Sequence, residues 1–155
     1  NAAGIQGAKT IWEHWPLQSH YRHLFSACGT GGTLAGLILG CPKPRDFAIH
    51  GVSVLKGDFL IAAVQEQLAA AQHNGDHSGS LPPWQIHTDF HSGGYARCKA
   101  PLKHFLAAFS AANPGFPVEH VYTGKLFWAI DRLLAEGTAP PAEKILALQS
   151  GGVYA

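Results

Sequence analysis

The chain has 155 residues, a formal charge of +1 at pH 7, 46% hydrophobic residues and only 14% charged residues. This length fits a single domain, residues 1–155, and the near-neutral charge gives no reason to expect nucleic acid or an anionic membrane as a partner. The three cysteines lack metal-site spacing, no apolar run approaches the roughly 20 residues that span a bilayer, and no signal peptide is visible, so we expect a cytoplasmic protein.

Helical and strand-like segments alternate along the chain. Apolar spacing and turn residues predict these elements in chain order: helix Gly4–His14, strand His23–Ala27, helix Gly31–Leu39, strand Phe47–Leu55, helix Phe59–Gln72 with Asp58 as its cap, strand Trp84–Thr88, helix Pro101–Ala112, helix Leu126–Ala135 and strand Lys144–Gln149. Strands separated by helices indicate an α/β fold, with a mostly parallel sheet between two layers of helices.

Four turns are expected at the carboxyl edge of this sheet: Cys28–Thr33, His91–Tyr95, Tyr122–Lys125 and Ser150–Gly152. Ligands of open parallel sheets bind beyond the carboxyl ends of the strands. The turns therefore mark the edge at which we expect a functional site.

The glycine-rich turn Cys28–Thr33 joins a strand to the N-terminus of a helix. Glycines let the backbone N–H groups turn inward, and the helix dipole adds positive charge, so the turn predicts a phosphate site. It is not a Walker loop, because no Gly-Lys-Ser/Thr follows, and Leu34 stands where a strict dinucleotide fingerprint needs its third glycine. The alternative is a tight connection that binds no ligand.

Cys28 precedes a helix N-terminus, where a thiolate nucleophile would be stabilised, although a half-buried, inert thiol is the simpler reading. His87, Asp89 and His91 alternate and could share one face of a strand. A turn follows at once and no further ligand cluster is evident, so we predict no metal. The ten histidines look scattered along the sequence.

Tyr95 and Tyr122 both lie in glycine-flanked turns at the expected ligand edge. A phenol at such a place can act as an acid or base, or it can simply pack its ring. Lys56 and Lys125 are by default solvated lysines of loops.

Three motifs follow one another along the chain: Cys28–Gly36 (CGTGGTLAG), His91–Ala96 (HSGGYA) and Val121–Lys125 (VYTGK). With them, the chain resembles the C-terminal part of a pyridoxal-phosphate (PLP) enzyme of the tryptophan-synthase-β fold type. More narrowly, it resembles the family of 1-aminocyclopropane-1-carboxylate (ACC) deaminase and D-cysteine desulfhydrase. The resemblance covers nearly the whole chain, and its most specific part is the Tyr-Thr-Gly-Lys motif.

The resemblance implies PLP as the cofactor and gives roles to residues of these motifs. Tyr122 would stand over the active site near the substrate, Tyr95 would be a second active-site phenol, and Thr123 would hydrogen-bond the pyridine nitrogen. The pair Gln149-Ser150 stands where the family has His-Thr, so Ser150 keeps a hydroxyl and the histidine is lost. The implied cofactor-binding residues are Cys28, Gly29, Thr30, Gly31, Gly32, Thr33, Thr123 and Ser150.

Members that act as ACC deaminases carry a glutamate at the position of Thr123, and the desulfhydrases carry a threonine. A hydroxyl keeps the pyridine nitrogen protonated less well than a carboxylate does, which favours β-elimination over opening of a cyclopropane ring. In the family, the lysine that forms the Schiff base lies upstream of a Gly-Gly-Ser stretch that this chain lacks. We therefore expect the N-terminal part with that lysine to be missing, and this chain alone to be inactive.

The leading hypothesis is the C-terminal portion of a PLP-dependent lyase or deaminase that converts a small amino acid to a 2-oxo acid and ammonia. The family implies a homodimer for the full-length enzyme. One alternative is a noncatalytic module that binds a phosphate ligand. Another is a hydrolase that uses Cys28 as its nucleophile.

Overall fold

The structure is a computed structural model that describes residues 2–14, 20–42 and 46–150. At its centre is a sheet of four parallel strands in the order β3-β2-β1-β4. The strands are β1 (His23–Cys28), β2 (Ala48–Ser53), β3 (Trp84–His87) and β4 (Ile145–Leu148). The predicted parallel α/β sheet is thus confirmed.

The chain builds this sheet outward from β1 in two directions. From β1 it moves to β2 and β3 on one side, and later it returns to place β4 on the other side of β1. The connections therefore diverge between β1 and β4, and this switch point opens a crevice at the carboxyl ends of the two strands. The segment after β1 is the glycine-rich turn, so the fold places that turn at the crevice.

Helices cover both faces of the sheet, as the sequence predicted. The two faces carry separate apolar clusters, and neighbouring residues of β1 belong to different ones: Leu24 to the first and Phe25 to the second. Both side chains are fully buried, which explains why β1 reads as a continuous apolar run. The helices are α1 (Ala2–Lys9), α2 (Gly32–Gly40) and α3 (Phe59–His73) on the first face, and α5 (Thr123–Ala135) on the second, with α4 (Ala100–Ala112) packed against α5.

Most helices and strands lie within two residues of their predicted bounds, but three details differ from the prediction. The first helix ends at Lys9, and a 3-10 helix follows over Thr10–His14. Asp58 occupies the N-cap position of α3, but its side chain makes no capping hydrogen bond, so the predicted capping role was wrong. Helix α5 begins at Thr123, three residues earlier than predicted, because another side chain caps it, as described below. Within the described residues, no helix has the length and apolar character needed to cross a membrane.

Candidate functional site

A cleft of about 650 Å³ lies at the carboxyl edge of the sheet, at the switch point between β1 and β4. Three of the predicted turns reach it, together with Ser150, the last described residue and the first residue of the fourth predicted turn. Its lining residues are Ala27, Cys28, Gly29, Thr30, Gly31, Gly32, Thr33, Leu34, Tyr95, Glu119, His120, Val121, Tyr122 and Ser150. Gly151 and Gly152 of the fourth turn lie outside the described residues.

The glycine-rich turn forms one wall of the cleft and ends at Gly31, the N-cap of α2. Gly31 has a φ of +84°, and a Cβ atom there would lie 2.6 Å from Cγ2 of Val64, so only glycine fits. No side chain in the described part of the protein caps α2. The first N–H groups of a helix have no intrahelical partner, so those of α2 are available to a ligand.

Gly32, the first residue of α2, adds a second observation. A Cβ atom there would meet no protein atom within 4 Å, although Gly32 lines the cleft. The space in front of this backbone is therefore open. Together with the uncapped helix, it forms an open backbone cradle of the kind that binds phosphate groups.

The N-terminus of α5 also reaches the cleft, but a carboxylate of the chain itself already occupies it. Glu119 accepts hydrogen bonds from the backbone N–H groups of Val121, Tyr122 and Thr123, the last at 2.7 Å. Its charge compensates the helix dipole there. An external anion is thus directed to the N-terminus of α2, where the described residues supply no side-chain cap.

Glu119 is a cleft residue that the sequence reasoning missed. An acidic residue just before a helix is an N-cap signal, but it is visible only if α5 is recognised as starting at Thr123. Because the prediction placed the start of this helix at Leu126, the signal lay too far upstream to be recognised.

Thr123 lies behind the cleft surface. Its side chain is 2% exposed, and it is absent from the residues that line the cleft. Its hydroxyl donates to Oε1 of Glu119 and accepts from the Glu119 backbone N–H, both at 3.1 Å. The predicted contact of Thr123 with a pyridine nitrogen stays a prediction.

The two tyrosines named from the sequence meet at the cleft. The rings of Tyr95 and Tyr122 are 6.1 Å apart in an edge-to-face arrangement. A Cβ atom at Gly29 would lie 3.4 Å from the Tyr122 hydroxyl, so this phenol borders the glycine turn directly. Burial raises the pKa of the Tyr122 phenol, and the hydrogen bond with Tyr95, the charge of Tyr95 and the charge of Glu119 raise it further.

Lys125 is not the solvated lysine that the sequence suggested. It is completely buried, and its Nζ donates to the carbonyl oxygens of Gly94 at 2.8 Å and Val54 at 3.4 Å. Burial lowers the pKa of the Lys125 ammonium, whereas the charges of Cys98 and Glu119 oppose that shift. Lys56, by contrast, is exposed as expected.

Cys28 contributes to the wall of the cleft, but its thiol is not an activated nucleophile. The residue is 2% exposed, and burial raises the pKa of its thiol to about 12, although a backbone hydrogen bond involving Val52 acts against the rise. The thiol donates a weak hydrogen bond to the carbonyl oxygen of Ser26 at 3.6 Å. Since a nucleophilic cysteine needs a lowered pKa, the structure argues against the hydrolase hypothesis.

This assignment predicts the alkylation pattern of the native protein. At pH 8, we expect iodoacetamide to modify half-buried Cys98 readily and Cys28 on the order of a thousandfold more slowly than an exposed thiol, because so little thiolate forms. Peptide mass spectrometry over a time course measures both sites, and the chain in urea serves as the control in which both react. Rapid modification of Cys28 in the native chain would contradict the assignment.

The His87, Asp89 and His91 trio does not form a ligand set. Nε2 of His87 lies 3.3 Å from Nδ1 of His50, and Nδ1 of His91 accepts a hydrogen bond from the Gly93 N–H at 2.9 Å. No group of three or more His, Cys, Asp or Glu residues that could hold a metal ion occurs in the part of the chain that the structure describes.

Comparison with known proteins adds one finding to this geometry. No protein-family profile and no curated protein matches the chain. A solved structure titled "Crystal Structure Analysis of the ACC deaminase homologue" is similar, with a TM-score of 0.72 and 24% sequence identity. The chain has the fold of an ACC deaminase homologue. The match covers 97% of this chain and 45% of the other, so the chain spans less than half of that structure's length.

Proposed function

We propose that the chain is the C-terminal, cofactor-binding portion of a PLP-dependent lyase or deaminase that acts on a small amino acid. The observation that carries the proposal is the uncapped glycine cradle at α2, open to a cleft at the switch point of the sheet. The fold shared with an ACC deaminase homologue and the motif resemblance support it. The full-length enzyme, a homodimer in this proposal, would release a 2-oxo acid and ammonia.

The residues present fit the phosphate and ring portions of PLP. A cleft of about 650 Å³ is within the usual size range of cofactor sites, roughly 300–1,000 Å³. Backbone N–H groups of Gly29–Thr33 would hold the phosphate, Ser150 would add a hydroxyl, and Tyr95 and Tyr122 would border the ring and the substrate. None of the described residues that line the cleft is a lysine, so this part of the protein would hold the group without a covalent bond.

The chemistry that PLP supplies when bound is an aldehyde that condenses with an amine and a ring that withdraws electrons from neighbouring bonds. The chain's own residues bind and orient. Tyr122, whose phenol pKa is raised, keeps its proton at Oη at neutral pH and can donate it to a developing negative charge. Glu119 places its negative charge at the N-terminus of α5. This charge would favour the orientation of the cofactor in which the phosphate lies at the glycine-rich turn of α2.

A noncatalytic module that binds a phosphate ligand is the alternative function, and the lack of a lysine among the described cleft residues favours it. The two functions differ in what the ring contributes. For a PLP site, pyridoxine 5′-phosphate, the alcohol analogue that cannot react with surface lysines, should bind far more tightly than inorganic phosphate. For a general phosphate module, the two affinities should be similar.

Gly32→Ala tests the cradle itself. The added methyl group meets no protein atom, so we expect the free energy of unfolding to stay within about 1 kcal/mol of the wild-type value. The same methyl group enters the space of the phosphate, so the affinity for pyridoxine 5′-phosphate should fall at least about tenfold. Isothermal titration calorimetry with pyridoxine 5′-phosphate, pyridoxine and inorganic phosphate measures the effect.

Gly7→Ala is the matched control, because Gly7 also lies in a helix, α1, and a Cβ atom there meets nothing within 4 Å. It does not line the cleft, so this variant should bind like the wild type. Unchanged binding by Gly32→Ala, or equal affinity for pyridoxine with and without its phosphate, would refute the cradle.

A further inference from the structure

The turn that carries Tyr95 has an unusual backbone. Four of its residues have positive φ angles: Ser92 at 55°, Gly93 at 101°, Gly94 at 126° and Ala96 at 54°. For Ser92 and Ala96 the left-handed region is unfavourable, at roughly 1–2 kcal/mol per residue. Such a conformation persists only if the surrounding structure holds it in place.

Four hydrogen bonds within the segment restrain the turn locally. The Gly93 N–H donates to Nδ1 of His91, and the Lys99 N–H donates to the Ser92 hydroxyl, both at 2.9 Å. The Gly94 N–H donates to the His91 carbonyl oxygen, and the Gly94 carbonyl oxygen accepts from the Arg97 N–H, both at 3.1 Å. All of these partners belong to the same short stretch of chain. They shape the turn, but they do not fix its position relative to the cleft.

Lys125 supplies a contact from a distant part of the chain. Its Nζ donates at 2.8 Å to the carbonyl oxygen of Gly94, the residue directly before Tyr95. It also donates to the carbonyl of Val54, which follows β2, and it lies three residues after Tyr122. One ammonium group thus connects the segments of both tyrosines to the end of a central strand.

This placement of Lys125 is unfavourable by local criteria. A cation in the first turn of a helix opposes the helix dipole, and a fully buried ammonium needs compensation for lost hydration. The two hydrogen bonds of Nζ within the described part of the chain go to neutral carbonyl oxygens. Residues that break local rules while completely buried are typical of functional positions.

We propose that Lys125 is a positioning residue whose buried ammonium holds the Gly94 carbonyl, and thereby keeps the Ser92–Ala96 turn in its left-handed form with Tyr95 beside Tyr122. The geometry of the turn follows from the contacts alone. Its consequence for a ligand rests on the proposed function, because Tyr95 and Tyr122 would border the ring of the bound cofactor. Lys125 itself does not touch the cleft.

Lys125→Met tests the proposal, because methionine keeps an unbranched side chain of similar length and removes the charge and the donor. We expect amide hydrogen exchange in peptides covering residues 91–99 to accelerate on the order of tenfold, while peptides from β1 and β2 keep their rates. The affinity for pyridoxine 5′-phosphate should fall on the order of tenfold, whereas that for inorganic phosphate should change by less than about twofold. Lys103→Met, at an exposed lysine of α4, is the control and should alter neither.

A merely structural lysine would give a different pattern: faster exchange throughout the chain, or no change at all, with both affinities moving together. That result would overturn the proposal. If Lys125→Met does not fold, Lys125→Gln, which keeps a neutral donor on a shorter side chain, is measured in the same way. Adding propylammonium to Lys125→Ala should restore the protection of residues 91–99 against amide hydrogen exchange. If it does not, the ammonium group is not what holds the turn.

The two proposals fail separately. If the wild-type chain does not bind pyridoxine 5′-phosphate, the proposed function is wrong, but exchange in residues 91–99 still decides the role of Lys125. If the wild type binds and Lys125→Met shows unchanged exchange and unchanged binding, the proposed function stands and the positioning role is wrong.

Discussion

Replacing Gly31 with alanine is expected to destabilise the folded chain by about 3 kcal/mol and to abolish binding of pyridoxine 5′-phosphate. Two effects add. Gly31 has a φ of +84°, where an L-residue costs roughly 1–2 kcal/mol. The new methyl group would also lie 2.6 Å from Cγ2 of Val64 and 3.2 Å from Cδ1 of Leu60, and such overpacking typically costs about 1–3 kcal/mol. Both strains displace the backbone that forms the cradle.

Urea unfolding measures the loss of stability, and calorimetry measures the loss of binding. Gly32→Ala is the neighbouring control for the stability measurement, since it shares the turn but lacks both the positive φ and the close contact. Gly7→Ala, outside the cleft, is the control for the binding measurement. In a double-mutant cycle, Val64→Ala should recover the steric part of the Gly31→Ala effect and leave the φ part. A Gly31→Ala chain as stable as the wild type would show that the turn does not adopt this conformation.

The sheet was predictable because its signals are local. Apolar runs bounded by glycine and proline gave β1 and β2 to within two residues at each end, and the alternation of strands with helices gave the parallel topology. The strand order was not accessible, because nothing in a single sequence says that β4 returns to the far side of β1. That return creates the crevice. The sequence could therefore indicate at which edge of the sheet the site lies, but not between which two strands.

The candidate site was likewise predictable only where its signals are local. The glycine turn, Tyr95 and Tyr122 could be named because each lies in a short motif, whereas the roles of Glu119 and Lys125 depend on contacts across the chain. Glu119 also changes the argument about Thr123. The Thr123 hydroxyl donates its proton to the Glu119 carboxylate, so the expected preference for elimination over ring opening no longer rests on the threonine alone.

The scattered look of the histidines in the sequence conceals a row of three, which register assembles on one face of the sheet. Nδ1 of His23 lies 3.0 Å from Nε2 of His50, and Nδ1 of His50 lies 3.3 Å from Nε2 of His87. His50 is 5% exposed and stacks on Phe25 with ring centroids 4.2 Å apart. The amide of Gln85 also lies 2.9 Å from Nδ1 of His50. The row is therefore packed and hydrogen-bonded as neutral rings.

Protonation of this row should destabilise the protein in mild acid. Burial lowers the pKa of His50 to about 3, and the charges of His87 and His23 add to the effect. Burial also lowers the pKa values of His23 and His87, although Asp89 opposes the shift of His87. Each folded-state pKa lies below the unfolded value of about 6.5, so the unfolded chain binds more protons. The stabilisation is complete above about pH 6.5 and is lost as the pH falls toward 3.

His50→Phe is the decisive variant, because it keeps a ring against Phe25 and removes the proton site. Between pH 6.5 and 5, above the range in which ordinary carboxylates titrate, His50 alone should lower the free energy of unfolding by about 1.4 kcal/mol per pH unit, roughly 2 kcal/mol in all. Urea unfolding at intervals of half a pH unit should therefore show a slope smaller by about one proton in His50→Phe. His104→Gln, at an exposed histidine of α4, should keep the wild-type slope. A His50→Phe chain with the wild-type slope would show that His50 is not held neutral, since a ring that binds its proton equally well in the folded and the unfolded chain adds nothing to the slope.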